Sequence, residues 1–189
     1  MLPHIKNSQA GIQRWDPVFN SIFEVAFTIP DMIRDKFGGD EAILTEHVMK
    51  VGGLDNLQKS PGTGQQKFMG TDRSYIKPVM DSTHAEPEIT FSLNLRNGTD
   101  NYIYKLLRAW CALGYDLLTG TRTLKRNYCA DWMRVSIANQ AGDIYRQILF
   151  KDIMPSDGLS GGSDLDYTSD SAQEITIKFV SDWWDDEMV

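Results

Sequence analysis

At 189 residues, 41% of them apolar and 11% aromatic, the chain has enough nonpolar surface for one packed domain and too much for a disordered segment. Acidic residues outnumber basic ones 26 to 19, and a net charge of −7 argues against tight, backbone-driven nucleic-acid binding, which needs clustered Lys and Arg to displace counterions. Cys111 and Cys129 lack CxxC or zinc spacing and read as a reduced pair, a disulfide between them staying open.

Residues 1–17 are polar and mixed, anchored by Trp15 and Pro17, and read as an N-terminal arm; residues 18–189 read as a single β domain. Met1–Lys6 has no apolar run for a signal peptide, and nowhere does an apolar run approach the roughly 18 residues of a membrane span. The expectation is a soluble chain made in a cytoplasm, with no membrane partner. Phe23, Val25, Phe27 and Ile29 alternate with Glu24, Ala26 and Thr28, the period of a half-buried strand, which Pro30 ends. A loop or short helical turn is expected over Asp31–Glu41, then a second strand over Ile43–Val51. Gly52–Tyr75 reads as a long glycine-rich loop with Leu54, Leu57, Phe68 and Met69 as its apolar anchors, part of a loop insertion at about 31–81. Tyr75–Met80 reads as a short edge strand because Pro78 interrupts it.

Ile89, Phe91, Leu93 and Leu95 alternate with Thr90, Ser92 and Asn94, the cleanest strand pattern in the chain. A helix follows, capped by Thr99 or Asp100, with Ile103, Leu106, Leu107, Trp110 and Leu113 in one apolar stripe and Gly114 at its end. After the basic pair Lys125-Arg126 come two alternating strands, Trp132–Ala138 and Ile144–Phe150, around the turn Asn139–Asp143. A Gly/Ser/Asp stretch and a last strand, Ile175–Trp184, close the chain. One helix cannot cover both faces of so many strands. The fold class is therefore mainly β: a β-sandwich or part-open antiparallel barrel with one flanking α-helix.

The residues for chemistry are sparse. His4, His47 and His84 share no metal spacing, and the acidic loop with Asp81, Glu86 and Glu88 reads as solvated. Gly158–Asp164 lacks the Lys-Ser/Thr of a phosphate loop, and Lys125-Arg126 with Tyr128 is too small a platform for nucleic acid. Asp182, Asp185, Asp186 and Glu187 sit where a chain end frays, a poor place to desolvate a carboxylate. No catalytic, metal or cofactor residues are assigned, and an enzyme is not expected.

In order, the strand Ile89–Leu95, the helix with Leu106 and Trp110, Ile148–Asp157 with its Pro155, and Glu174–Trp184 ending on an Asp–Trp pair resemble tail tube proteins of contractile-tailed bacteriophages and related injection systems. The opening Phe19–Ile29 fits the family as well, while Asp31–Asp81 carries more loop than a minimal tube subunit. The resemblance implies a virion structural protein made in a host cytoplasm, closing into hexameric rings that stack into a tail tube through which the genome is delivered. Partners are then other copies of the chain, sheath, and baseplate or connector proteins, with DNA sliding through the lumen unbound. Cyclic closure covers edge strands that would otherwise aggregate. The ring-stacking candidates are Leu54, Leu57, Phe68 and Met69; the lumen candidates are Thr90, Ser92, Asn94 and Thr176, whose hydroxyls and amide hold no phosphate; the subunit-interface candidates are Trp183 and Trp184. Alternatives are a connector, a tube initiator or another tail ring, or a secreted ring of a bacterial injection system. More remote is a carbohydrate- or peptide-binding sandwich using Trp183, Trp184 and Tyr167 as a stacking surface.

Overall fold

The computed structural model describes residues 21–38, 41–55, 57, 59–82, 84–114, 119–161 and 172–188; the expected arm over 1–17 lies outside them. Among the described residues the strands are β1 (Phe23–Phe27), β2 (Val48–Gly52), β3 (Lys59–Phe68), β4 (Thr71–Ser82), β5 (Glu88–Ser92), β6 (Ala130–Ala138), β7 (Ile144–Pro155), β8 (Ser160–Gly161) and β9 (Glu174–Met188). The helices are α1 (Asp31–Phe37), α2 (Glu41–Glu46), α3 (Tyr102–Ala112) and the single turn α4 (Lys125–Tyr128). One antiparallel sheet runs β1-β6-β7-β9-β5-β2, with β8 beside β9, and β3-β4 forms a separate hairpin.

The sheet curls on itself. Phe27 lies on the end strand β1 and Phe91 on β5, four places away in the strand order, yet their rings are 6.0 Å apart. Strand β9 carries the sheet round: Glu174–Lys178 pair with β5, whereas Phe179–Met188 pair with β7. Its inward residues Ile175, Ile177 and Phe179 are buried, and Phe179 meets Phe27 at 6.3 Å and Trp110 of α3 at 5.3 Å. The result is a nearly closed antiparallel barrel filled with apolar side chains.

Three adjacent strands change face at one place. At this place consecutive buried residues are Ala130 and Met133 on β6, Phe150 and Ile153 on β7, and Ser181 and Trp184 on β9, each pair three residues apart where regular pleating would give two. These residues share rows, Ala130–Ile153–Ser181 and Met133–Phe150–Trp184. Between the rows two consecutive residues on each strand lie outside the core, Asp131-Trp132, Lys151-Asp152 and Asp182-Trp183, with Trp132 half-buried and the others exposed. Asp152 there adopts φ +53°, and Lys125 of α4 pairs with Asp182. Such an extra residue bends a strand, and an aligned set bends the whole sheet, so this line is a corner of the barrel.

Helix α3 plugs the core through Ile103, Leu106, Leu107 and Trp110, as its apolar stripe predicts, with Leu113 half-buried just beyond. Its N-cap is Asn101, whose side chain accepts the Tyr104 N–H at 3.2 Å, in place of the expected Thr99 or Asp100. The Trp110 indole N–H donates to the Tyr128 carbonyl at 2.8 Å, leaving the ring buried without an orphaned donor.

The span 43–51 departs from its expected strand. Glu41–Glu46 is helix α2, and only Val48–Gly52 is extended. Glu41 fixes the helix start, accepting from the Ile29 N–H at 3.3 Å and from Arg34 at 2.5 Å. The His47 ring bonds the Ile43 carbonyl at 2.7 Å as the chain turns into β2. The apolar alternation of Leu44 and Val48 is a coincidence of one buried helical residue followed by one strand residue. At the C-terminal side, β9 continues to Met188, so Asp185–Glu187 lie in a paired strand rather than a fraying tail, and Arg146 grips Asp186 through two bonds of 2.9 and 2.6 Å.

Candidate functional site

The largest departure from the sequence reading is the region expected to be a loop. Lys59–Ser82 is a long β-hairpin, with Phe68 opposite Thr71 and a two-residue turn at Met69-Gly70. Met69 has φ +51° and Gly70 φ +81°, both left-handed, the twist that joins two antiparallel strands without splaying them. Ten residues of β3 reach about 33 Å at roughly 3.3 Å per residue. The register shifts between Pro61 and Thr63, across from the stretch holding Pro78, where neither proline can donate to the ladder. Among the described residues the hairpin packs on itself and barely touches the barrel. A lone two-stranded ribbon is marginal in water, and among the described residues this one draws little support from the barrel.

Its side chains agree. Met69 at the tip is 91% exposed, and Ile76 69%; Tyr75 is half exposed. Tyr75 lies across Gly64, its cross-strand partner, and a Cβ at residue 64 would come within 2.5 Å of the Tyr75 ring. Gly64→Val should lift that ring and loosen the hairpin while leaving the barrel intact. The expected outcome is about tenfold faster tryptic cleavage at Lys67 and Arg73, equal to ~1.4 kcal/mol of local opening, with an unchanged melting temperature.

Of the four stacking candidates, Met69 forms the turn and Phe68 ends β3, while Leu54 and Leu57 pack against the barrel core at the root of the hairpin. Three of the lumen candidates share one face: Thr90 lies opposite Thr176 with their hydroxyls 3.1 Å apart, and Ser92 lies opposite Glu174. Asn94 is exposed beyond the end of β5. The same face carries Glu88 opposite Lys178, a mixed surface with no excess of positive charge. The two tryptophans separate, as neighbours on a strand must. Trp184 is 5% exposed in the subunit's own core; Trp183 is 44% exposed, with the Lys151 ammonium 5.1 Å from its ring centre. Tyr167 lies outside the described residues, and with Trp184 buried the pair presents one aromatic face, not two.

Among the described residues no group of three or more His, Cys, Asp or Glu side chains is placed to hold a metal ion, and no helix is long and apolar enough to cross a membrane. Both cysteines are free. Burial pushes the Cys129 thiol up to about 11, partly opposed by the Lys125 charge, and burial raises Cys111 as well. A thiol raised from 9.0 to about 11 gives stability that is complete below the lower value and is lost as pH rises through the upper one. Between about pH 8 and roughly pH 10.5 the urea midpoint of the native chain should therefore fall further than that of Cys129→Ala.

No protein-family model and no curated protein matches the chain. Solved structures do match it. A chain of the anti-feeding prophage cap, the tube terminating cap, aligns over 93% of this chain and 93% of its own, with a TM-score of 0.59 and 14% identity. A chain of the sheath–tube complex of an extracellular contractile injection system in the extended state aligns over 95% and 97%, with a TM-score of 0.57 and 16% identity. The sheath/tube terminator of such a system gives 92% and 99%, with a TM-score of 0.54 at 14% identity. The fold is that of contractile-injection tube components. The sequence resemblance thus holds at the level of fold, and it holds across nearly the whole length of each chain.

Proposed function

We propose that the chain is a structural subunit of the tube of a contractile tail or injection particle, closing into hexameric rings that stack end to end around a channel. The observation that carries this reading is the β3–β4 hairpin, about 33 Å of ribbon with an exposed Met69 tip and, among the described residues, little contact with its own barrel. A neighbouring ring is the support it lacks, and Phe68 and Met69 are the stacking contacts, with Leu54 and Leu57 bracing the root. Ring closure uses strand addition. β1 and β2 end the six-strand order, and because neighbours in it alternate in direction the two ends run antiparallel. An edge of one copy can therefore continue the antiparallel ladder of the next, a heterologous joint that closes by rotation.

In this reading Trp183 faces a neighbouring copy, and the Thr90, Ser92, Thr176 face is the candidate lumen wall, offering hydroxyls and balanced charge to a passing DNA or protein cargo. Sheath and baseplate proteins are the outer partners. The fold match to a tube terminating cap favours one second reading, a terminal or connector ring with the same architecture. Negative-stain imaging with mass measurement of the purified chain separates them. Long tubes support the tube subunit, isolated rings support the terminal ring, and a monomer at high concentration overturns both.

A further inference from the structure

We infer that the groove between α1 and α3 is a docking site for an acidic polypeptide segment bearing an apolar anchor, contributed by a different protein. The groove holds roughly 470 Å³, floored by Phe37, Ala109 and Ala112 and rimmed by Lys36, Lys105 and Arg108. All three cations are exposed. Lys105 is bound to Asp100 at 2.5 Å, Lys36 rests 5.8 Å from the Phe37 ring centre, and Arg108 has no carboxylate partner among the described residues. Helix α3, Tyr102–Ala112, contains no Asp or Glu at all, in a chain whose net charge is −7.

That local inversion of sign selects the occupant. At physiological ionic strength charges beyond about 8 Å are screened, so an approaching segment responds chiefly to Lys36 and Arg108, Lys105 being already engaged by Asp100, and little to the acidic remainder. Surface charges alone contribute little affinity, which is why the apolar floor matters: a side chain must seat on Phe37 and Ala109 while carboxylates meet the rim. The floor is also what favours polypeptide over a nucleic-acid backbone, which has no apolar group to place there. The inference needs only the folded subunit, so it stands or falls separately from ring closure.

The test uses the full-length chain and two synthetic helical peptides of equal length, one with Glu flanking a Leu anchor and one with Lys in place of Glu, plus a DNA duplex. Binding is read by fluorescence anisotropy. The native chain should bind the Glu peptide, and Lys36→Glu with Arg108→Glu should weaken it at least about tenfold and gain the Lys peptide, a swap that a merely structural role does not produce. Ala109→Trp, which fills the floor and leaves the rim, should also abolish binding of the Glu peptide. The proposal is overturned by absence of Glu-peptide binding, by binding indifferent to the charge swap, by equal binding of a Glu peptide whose Leu anchor is replaced by Ser, or by tighter binding of the DNA duplex at the same rim. Should the double reversal melt early, Arg108→Gln alone supplies the charge readout, with a smaller loss expected.

Discussion

Phe179→Ala is expected to lower the unfolding free energy by about 3–5 kcal/mol, enough to leave a typical domain near its unfolding threshold. The residue sits where β9 leaves β5 and joins β7, so its ring is shared by both halves of the barrel. It touches Phe27 of β1 and Trp110 of α3, binding the end strand, the crossing strand and the helix into one core. Its backbone N–H donates to the Pro87 carbonyl at 2.9 Å, which holds the strand in place and prevents easy collapse around the missing ring. A cavity here is bounded by paired strands on both sides, the setting in which large-to-small changes are costliest. Urea unfolding followed by tryptophan emission measures the loss. A loss below about 1 kcal/mol would mean that the two halves are not joined through this side chain. Tyr75→Ala on the hairpin is the matched control, with less than about 0.5 kcal/mol expected because the barrel does not depend on it.

What the sequence made legible follows from what each element buries. Ile89 and Phe91 alternate with Thr90 and Ser92 because one face of β5 meets the core, and the apolar stripe of α3 repeats at helical spacing for the same reason. The tube-like fold was readable from these elements in order. The hairpin was not, because binary patterning exists only where one face is buried. Thr63, Gln65 and Lys67 face solvent on one side of β3 and Gln66 on the other, so the chain there carries no period at all. One signal was present in the residues: Met69-Gly70 between two polar runs is a two-residue turn with glycine in its second position. Helix α2 was hidden for a different reason. Six residues give too few turns to show a period, and what holds it is Glu41 reaching Ile29 and Arg34, a tertiary contact with no local trace. The barrel corner escaped too, since Asp131, Asp152 and Asp182 lie far apart in sequence and align only after β6, β7 and β9 pair.

Excising the hairpin is expected to separate ring formation from stacking. Lys59 and Ser82 are cross-strand partners, so joining them through Asn-Gly keeps the ladder geometry at the root and removes residues 60–81. The barrel should fold with a melting temperature close to that of the intact chain, because among the described side chains the hairpin adds none to the core cluster, while Leu54 and Leu57, packed against that core before the hairpin begins, remain. Assembly should change sharply. Fully burying a side chain the size of Met69 or Ile76 is worth about 1.5–3 kcal/mol, and in the proposed assembly each copy presents one hairpin, so a ring-to-ring contact would gain from all of them at once through effective concentration. Loss of that contact in every copy should convert tubes into single rings in electron micrographs, while the mass of the ring is unchanged apart from the deletion. Continued growth of tubes would place stacking on the barrel faces and sink the role given to the hairpin. Dissociation to monomers would instead place the hairpin in the lateral joint, moving it from between rings to within one.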